Sequence, residues 1–133
     1  MSNSPTLPVA MAGSVPSPAV GTLDLDAALA RLGGNVDLYQ QLYRMFIVDG
    51  AGMIDQLAQL LAAGRRQEAH RVAHTLKGLG GTMGTTALAA AAAEAEAAMA
   101  GKASDEDARI LAIVTDAFAL ACRSIEQALP APG

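Results

Sequence analysis

The chain has no tryptophan, and two tyrosines and two phenylalanines are its whole aromatic complement. A core without large rings must be built from aliphatic and small side chains. Alanine is abundant and few residues favour strands, which suits close-packed helices. The single cysteine, Cys122, excludes an internal disulfide framework; in its apolar helical context it reads as a buried small residue.

Basic charge is also scarce. Nine Lys and Arg stand against thirteen Asp and Glu, a net charge of -4 and a pI near 4.9. That balance argues against a general nucleic-acid binder, which usually presents a basic face. Long apolar runs are missing too. The longest, Ala87 to Ala93, falls short of the roughly 18–20 residues of a membrane span, and Glu94 and Glu96 follow it. The N-terminus lacks a basic segment leading into an apolar one, so no secretory signal is expected. These absences predict a soluble, cytoplasmic module without membrane contact.

What is present fits one domain with a tail. The 133 residues are 52% apolar, enough for a real core. Residues 1–21 carry Pro5, Pro8, Pro16 and Pro18 among small residues and show no helical or strand period. They read as a disordered leader or interdomain linker. The folded domain is expected over 22–130, and 131–133 as a tail.

Five helices are predicted. The first is short, with Asp24 as its cap, Gly33-Gly34 as its stop, and Leu25, Leu29 and Leu32 on one face. Asn35 caps a long second helix, where Tyr39, Leu42, Phe46, Met53, Leu57 and Leu60 recur at helical spacing. Gly50 and Gly52 each weaken it by up to about 1 kcal/mol. The stripe keeps its phase through them, which favours one helix to about Ala63, ended by Gly64. The third runs from about Arg66 to Leu79 or Gly80, burying Ala69, Val72, Ala73 and Leu76. Gly80 to Gly84 is its turn. The fourth spans Thr85 or Thr86 to about Gly101 on a stripe of Leu88, Ala92, Ala95 and Met99. Ser104 and Asp107 have capping-box spacing. They open a last helix through Ile110, Ile113 or Val114, Ala117, Ala121, Ile125 and Ala128, stopped by Pro130. Short connections favour antiparallel neighbours. The expected fold is all-α, an up-down-up-down four-helix bundle with a short extra N-terminal helix.

The chemistry concentrates on one face of the third helix: Gln67, His70, Arg71, His74, Lys77, Gly78 and Gly81. His70 and His74 have the spacing of a metal pair, but Arg71 stands where the zinc-protease motif needs Glu, and Arg71 and Lys77 repel a cation. The glycines from Gly78 to Gly84 fail the dinucleotide pattern and follow a helix rather than a strand. No serine lies in a Gly-x-Ser-x-Gly context. The acidic run Asp105-Glu106-Asp107 complements a helix N-terminus.

His74 remains. A neutral imidazole is a good nucleophile near pH 7. Lys77, one turn away, can offset the charge of a phosphoryl group on the ring. Gly78 leaves the ring uncovered. Nothing nearby in the sequence supplies Mg²⁺ ligands or a base for the histidine, so a partner is expected to bring most of the catalysis.

His74-x-Leu76-Lys77-Gly78, with Gly84 six residues on, resembles the signature of histidine-containing phosphotransfer (HPt) domains of bacterial phosphorelays and hybrid sensor kinases. Leu25 to Leu29 with Leu32-Gly33-Gly34 resembles the family's first helix, and Leu38-Tyr39 through Phe46 its second. Leu88 and Glu96 match later positions, although Ala95 stands where a larger apolar residue is common. The resemblance implies a four-helix bundle with an exposed phospho-acceptor, His74, and Lys77 as its electrostatic partner. Gly78, with His70, Arg71 and Gly81, would form a docking surface. The implied partner is a response-regulator receiver domain that contributes the aspartate and Mg²⁺; no cofactor or metal is implied on this chain. The chain itself is expected to be a monomer, either free-standing or the cytoplasmic end of a membrane-bound sensor kinase. The competing reading is a helical module that docks a receiver without phosphotransfer.

Overall fold

The computed structural model describes residues 23–129. The expected leader, the 131–133 tail and Pro130 lie outside them. Among the described residues the helices are α1 (Leu25–Arg31), α2 (Val36–Ala62), α3 (Arg66–Thr82), α4 (Thr86–Met99) and α5 (Glu106–Ala128), with no strand.

Local signals start and stop them. The Asp24 carboxylate accepts the Ala27 N–H, and the Asn35 side chain accepts that of Leu38, which caps α1 and α2. Gly33, Gly34 and Gly64 take the left-handed conformation that ends each of these helices. As the continuous stripe predicts, α2 is one helix.

Helices α2 to α5 close a four-membered ring, with contacts between successive helices and between α2 and α5. Neighbours run antiparallel. Arg66 at the start of α3 bonds Ala98 at the end of α4, while Gly80 late in α3 lies against Leu88 early in α4. Tyr43 meets Cys122 and Glu126, and Gly50 lies under Phe118, which sets α2 against α5 in opposite directions. The predicted stripes fill the centre: Tyr39, Phe46, Leu57, Ala69, Ala73, Leu76, Leu88, Ala92, Ala95, Val114 and Ile125 are all buried. Burial of these faces stabilises helices that are marginal alone.

Several details depart from the periodicity. Val114, not Ile113, is the buried member of its pair, and Val72 is only half-buried. Tyr43 and Gly50 join the core of α2. A Cβ on Gly50 would stand 2.3 Å from Phe118 Cε1, so the glycine makes room for that ring, which packs on Phe46 at 5.2 Å. The capping box is half formed. Asp107 accepts the Ser104 N–H, but Ser104 Oγ accepts from Glu106. The stronger partner of Asp107 is Arg66, at 2.7 Å. The same guanidinium bonds the carbonyls of Ala98 and Gly101, tying the start of α3 to the end of α4 and the start of α5.

By length and composition alone, α2 is long and apolar enough to cross a membrane, a test that the core helix of a bundle also passes. Here its Tyr39, Phe46 and Leu57 are buried in the bundle centre. Counting uninterrupted apolar runs does not reveal this length because its charges are spaced apart.

The end of α3 is a correction. The helix continues through Gly80 and Gly81 to Thr82. Helix propensity alone stops it earlier, but tertiary contacts hold the last turn. Thr85 Oγ1 donates to the Gly80 carbonyl at 2.8 Å. Arg31 donates to the carbonyls of Gly81 and Thr82, and the Tyr39 hydroxyl to that of Met83 at 2.6 Å. These take up the orphan acceptors of a helix C-terminus, and the arginine suits its negative end. The stop is Gly84, at φ 77°.

Candidate functional site

Helix α3 is anchored at both ends, by Arg66 below and by Arg31, Tyr39 and Thr85 above. Between the anchors its buried residues Ala69, Ala73, Leu76 and Gly80 set its rotation. That rotation turns His70, His74 and Lys77 toward α4 and leaves Arg71, Gly78 and Gly81 exposed.

One carboxylate on α4 organises the first group. His74 Nδ1 lies 2.6 Å from Glu96 Oε2, and Lys77 Nζ lies 2.7 Å from Oε1. His70 Nε2 stands off at 3.9 Å from Oε2, beyond hydrogen-bond reach. The Glu96 side chain is only 17% exposed, while that of His74 is 65% exposed. Hydrogen bonds from Lys77 first, and then from His74, hold the Glu96 carboxyl below the usual carboxylate range. Glu96 is therefore an acceptor at neutral pH, and a carboxylate facing Nδ1 selects the tautomer with its proton there. Nε2 then carries the lone pair, and it has no hydrogen-bond partner among the described residues.

The glycines divide into two kinds. A Cβ on Gly78 or Gly81 would meet nothing within 4 Å, so the surface beside His74 is open. A Cβ on Gly80 would lie 3.2 Å from Ala89 N and from Thr85 Oγ1, so that glycine permits α3 and α4 to approach. The surface carbonyl of Gly81 also holds Arg31, which brings α1 to the edge of this face.

The structure thus gathers His70, His74 and Lys77 around one acidic group and keeps Gly78, Gly81 and Arg71 on the adjoining surface. Among the described residues, no group of three or more His, Cys, Asp and Glu side chains is arranged to hold a metal. Cys122 lies elsewhere, half-buried on α5, and burial pushes its thiol up.

Two residues escaped the sequence reading of the site. Glu96 appeared only as a matched position, and nothing near His74 in the chain was found to orient the ring. The clue lies in the α3–α4 hairpin. Counting eleven residues from Thr85 in each direction reaches His74 on α3 and Glu96 on α4. Arg31 had no comparable signal, because its partners are backbone carbonyls fifty residues away.

A family model described as Hpt domain matches residues 41–131. Comparison with curated proteins and with solved structures returns no match.

Proposed function

The chain belongs to the Hpt domain family, and from that premise we propose that it carries a phosphoryl group on His74 between the aspartates of receiver domains. Hpt domains serve phosphotransfer in two-component signalling and interact with the receiver domains of response regulators. The observation that carries the finer reading is an exposed histidine whose Nδ1 is tied to Glu96, with Nε2 free beside the open surface of Gly78.

The step follows from that geometry. Nε2 attacks the phosphorus of the receiver's acyl phosphate. The N–P bond forms as the bond from phosphorus to the aspartyl oxygen breaks, and the aspartate leaves as a carboxylate. The ring keeps its Nδ1 proton. Positive charge growing on the imidazole meets the Glu96 carboxylate 2.6 Å away. Lys77 is bonded to Glu96 before transfer and lies one helical turn from His74, where it can turn to a phosphoryl oxygen. The receiver supplies the aspartate and Mg²⁺; this chain needs no cofactor of its own. Reversal of the same step passes the group on. His70, Arg71, Gly78 and Gly81 form the docking surface around it, and the module works in the cytoplasm with its receivers.

The test is incubation of the chain with a phosphorylated receiver. An acid-labile, base-stable label is expected on the wild type and absent from His74→Gln. A label that persists in the variant overturns the assignment. Stable receiver binding without label favours a docking module that does not transfer phosphate.

A further inference from the structure

Among the described residues, the face of α2 opposite the core has no partner. Val48, on this face, is 70% exposed, and Met45 (58% exposed) and the more modestly exposed Ile47 flank it on opposite sides of the helix. Solvated helix faces are normally polar, so an aliphatic side chain exposed this far needs an account.

The charges that bracket it supply one. Arg44, Val48, Ala51 and Asp55 stand at i, i+4, i+7 and i+11, which places them in one narrow strip along the helix. The strip lies opposite Tyr39, Phe46, Gly50 and Leu57, the buried side of α2. Arg44 and Asp55 are exposed and, among the described residues, neither side chain has an ion pair or hydrogen bond. Ala51 is small, and a Cβ on neighbouring Gly52 would meet nothing within 4 Å, so another helix can approach closely.

We propose that this strip joins α2 to the α2 of a second copy of the chain in an antiparallel, two-fold symmetric pair. The strip is self-complementary in that arrangement alone. With the axis between Asp49 and Gly50, Arg44 of each copy faces Asp55 of the other, and Val48 faces Ala51. Each contact occurs twice. A parallel pair in register sets Arg44 on Arg44 and Asp55 on Asp55 and is repelled. The contact is confined to one helix face with a single strongly exposed aliphatic side chain, Val48, in each copy, well short of the roughly 20–30 residues a side of a standard stable interface, so the dimer is a weak one. Its dissociation constant belongs between about 10 μM and 1 mM. His74 turns toward α4, away from α2, so pairing leaves both His74 side chains accessible. The inference does not depend on the phosphotransfer reading, and it replaces the monomer expected from sequence.

Sedimentation equilibrium of residues 1–133 over that concentration range tests it. Wild type is expected to pass from monomer to dimer. Arg44→Asp and Asp55→Arg each create like-charge contacts and weaken association by roughly tenfold to a hundredfold. The decisive arm mixes the two variants. One then carries acid at both positions and the other base at both, so the mixture forms a heterodimer at least as tight as the wild-type dimer. The double variant Arg44→Asp/Asp55→Arg also regains self-association. Far-UV circular dichroism is expected to be unchanged throughout, since all these positions are exposed. A wild type that stays monomeric at the highest concentration overturns the proposal. So does a dimer indifferent to both charge reversals, or a mixture that fails to associate. Loss of receiver or vesicle binding in Val48→Asp, with no self-association in the wild type, assigns the face to that other occupant and equally overturns it.

Discussion

Replacing Gly84 by alanine tests the turn on which the far end of the histidine-bearing helix is seated. Gly84 holds φ 77°, and a Cβ there would stand 2.5 Å from the Asp24 carbonyl oxygen and 3.0 Å from its carbon. Both atoms are backbone, so no rotamer change relieves the contact. The left-handed conformation costs a non-glycine residue roughly 1–2 kcal/mol. Forcing a methyl group into packed surroundings adds about 1–3 kcal/mol. Stiffening of the unfolded chain by alanine subtracts about 0.4–1 kcal/mol from the apparent cost. Separation of the two segments also strains the hydrogen bond from Asp24 N–H to the Gly84 carbonyl, 2.6 Å long here. The sum is a loss of about 2–4 kcal/mol, a large share of the roughly 5–15 kcal/mol that holds a domain together. Gly33→Ala is the control. That residue has φ 65° but nothing within 4 Å of the added Cβ, so only the conformational cost of about 1 kcal/mol applies. Urea unfolding of both variants, followed by far-UV circular dichroism, reads the difference directly. Equal losses for the two would refute the seating of α1 against the α3–α4 turn.

Gly78→Leu is expected to keep the fold and, by removing a glycine from the interior of α3 where a Cβ meets nothing, to raise stability by up to about 1 kcal/mol, yet to suppress labelling of His74 by a phosphorylated receiver; intact transfer would show that the partner does not approach over Gly78. Lys77→Ala is expected to keep the helical content of the wild type and reduce transfer. Because Lys77 is the main cause of the lowered Glu96 carboxyl, the same variant moves Glu96 back toward the ordinary range, readable by NMR titration of its side-chain carbon. With pKa values lowered in the fold, Glu96 and Asp107 contribute stability that is present above the unfolded carboxylate values of about 4 and lost as pH falls through their folded values. Asp107→Asn is expected to flatten that acid limb in urea titrations at successive pH. At the other extreme, burial pushes Tyr39 up to about 12. Its contribution is present below about pH 10, the unfolded value, and is lost as pH rises from there through about 12. Tyr39→Phe is expected to lack that alkaline loss.

Much of the bundle was legible in the chain because amphipathic period and capping are local. Asp24, Asn35, Gly33-Gly34 and Gly64 act within one turn of their own position, and the stripes of α2 to α5 need only the 3.6-residue repeat. The misread features depend on what lies across the bundle. Gly50 looks like a weak point in α2 until Phe118 is seen over it. Gly80 and Gly81 look like a helix stop until Thr85 and Arg31 are seen to hold their carbonyls.

For the candidate site, sequence by itself determined that His74, Lys77 and Gly78 share a helical face, since positions three and four apart must neighbour one another. It also determined that the chain is a set of amphipathic helices with little basic charge. Only the tertiary structure decided which ring nitrogen is free. That choice belongs to Glu96, twenty-two residues away and brought to His74 by the α3–α4 hairpin. A carboxylate orients an imidazole only within hydrogen-bond distance, and the register of two packed helices sets that distance.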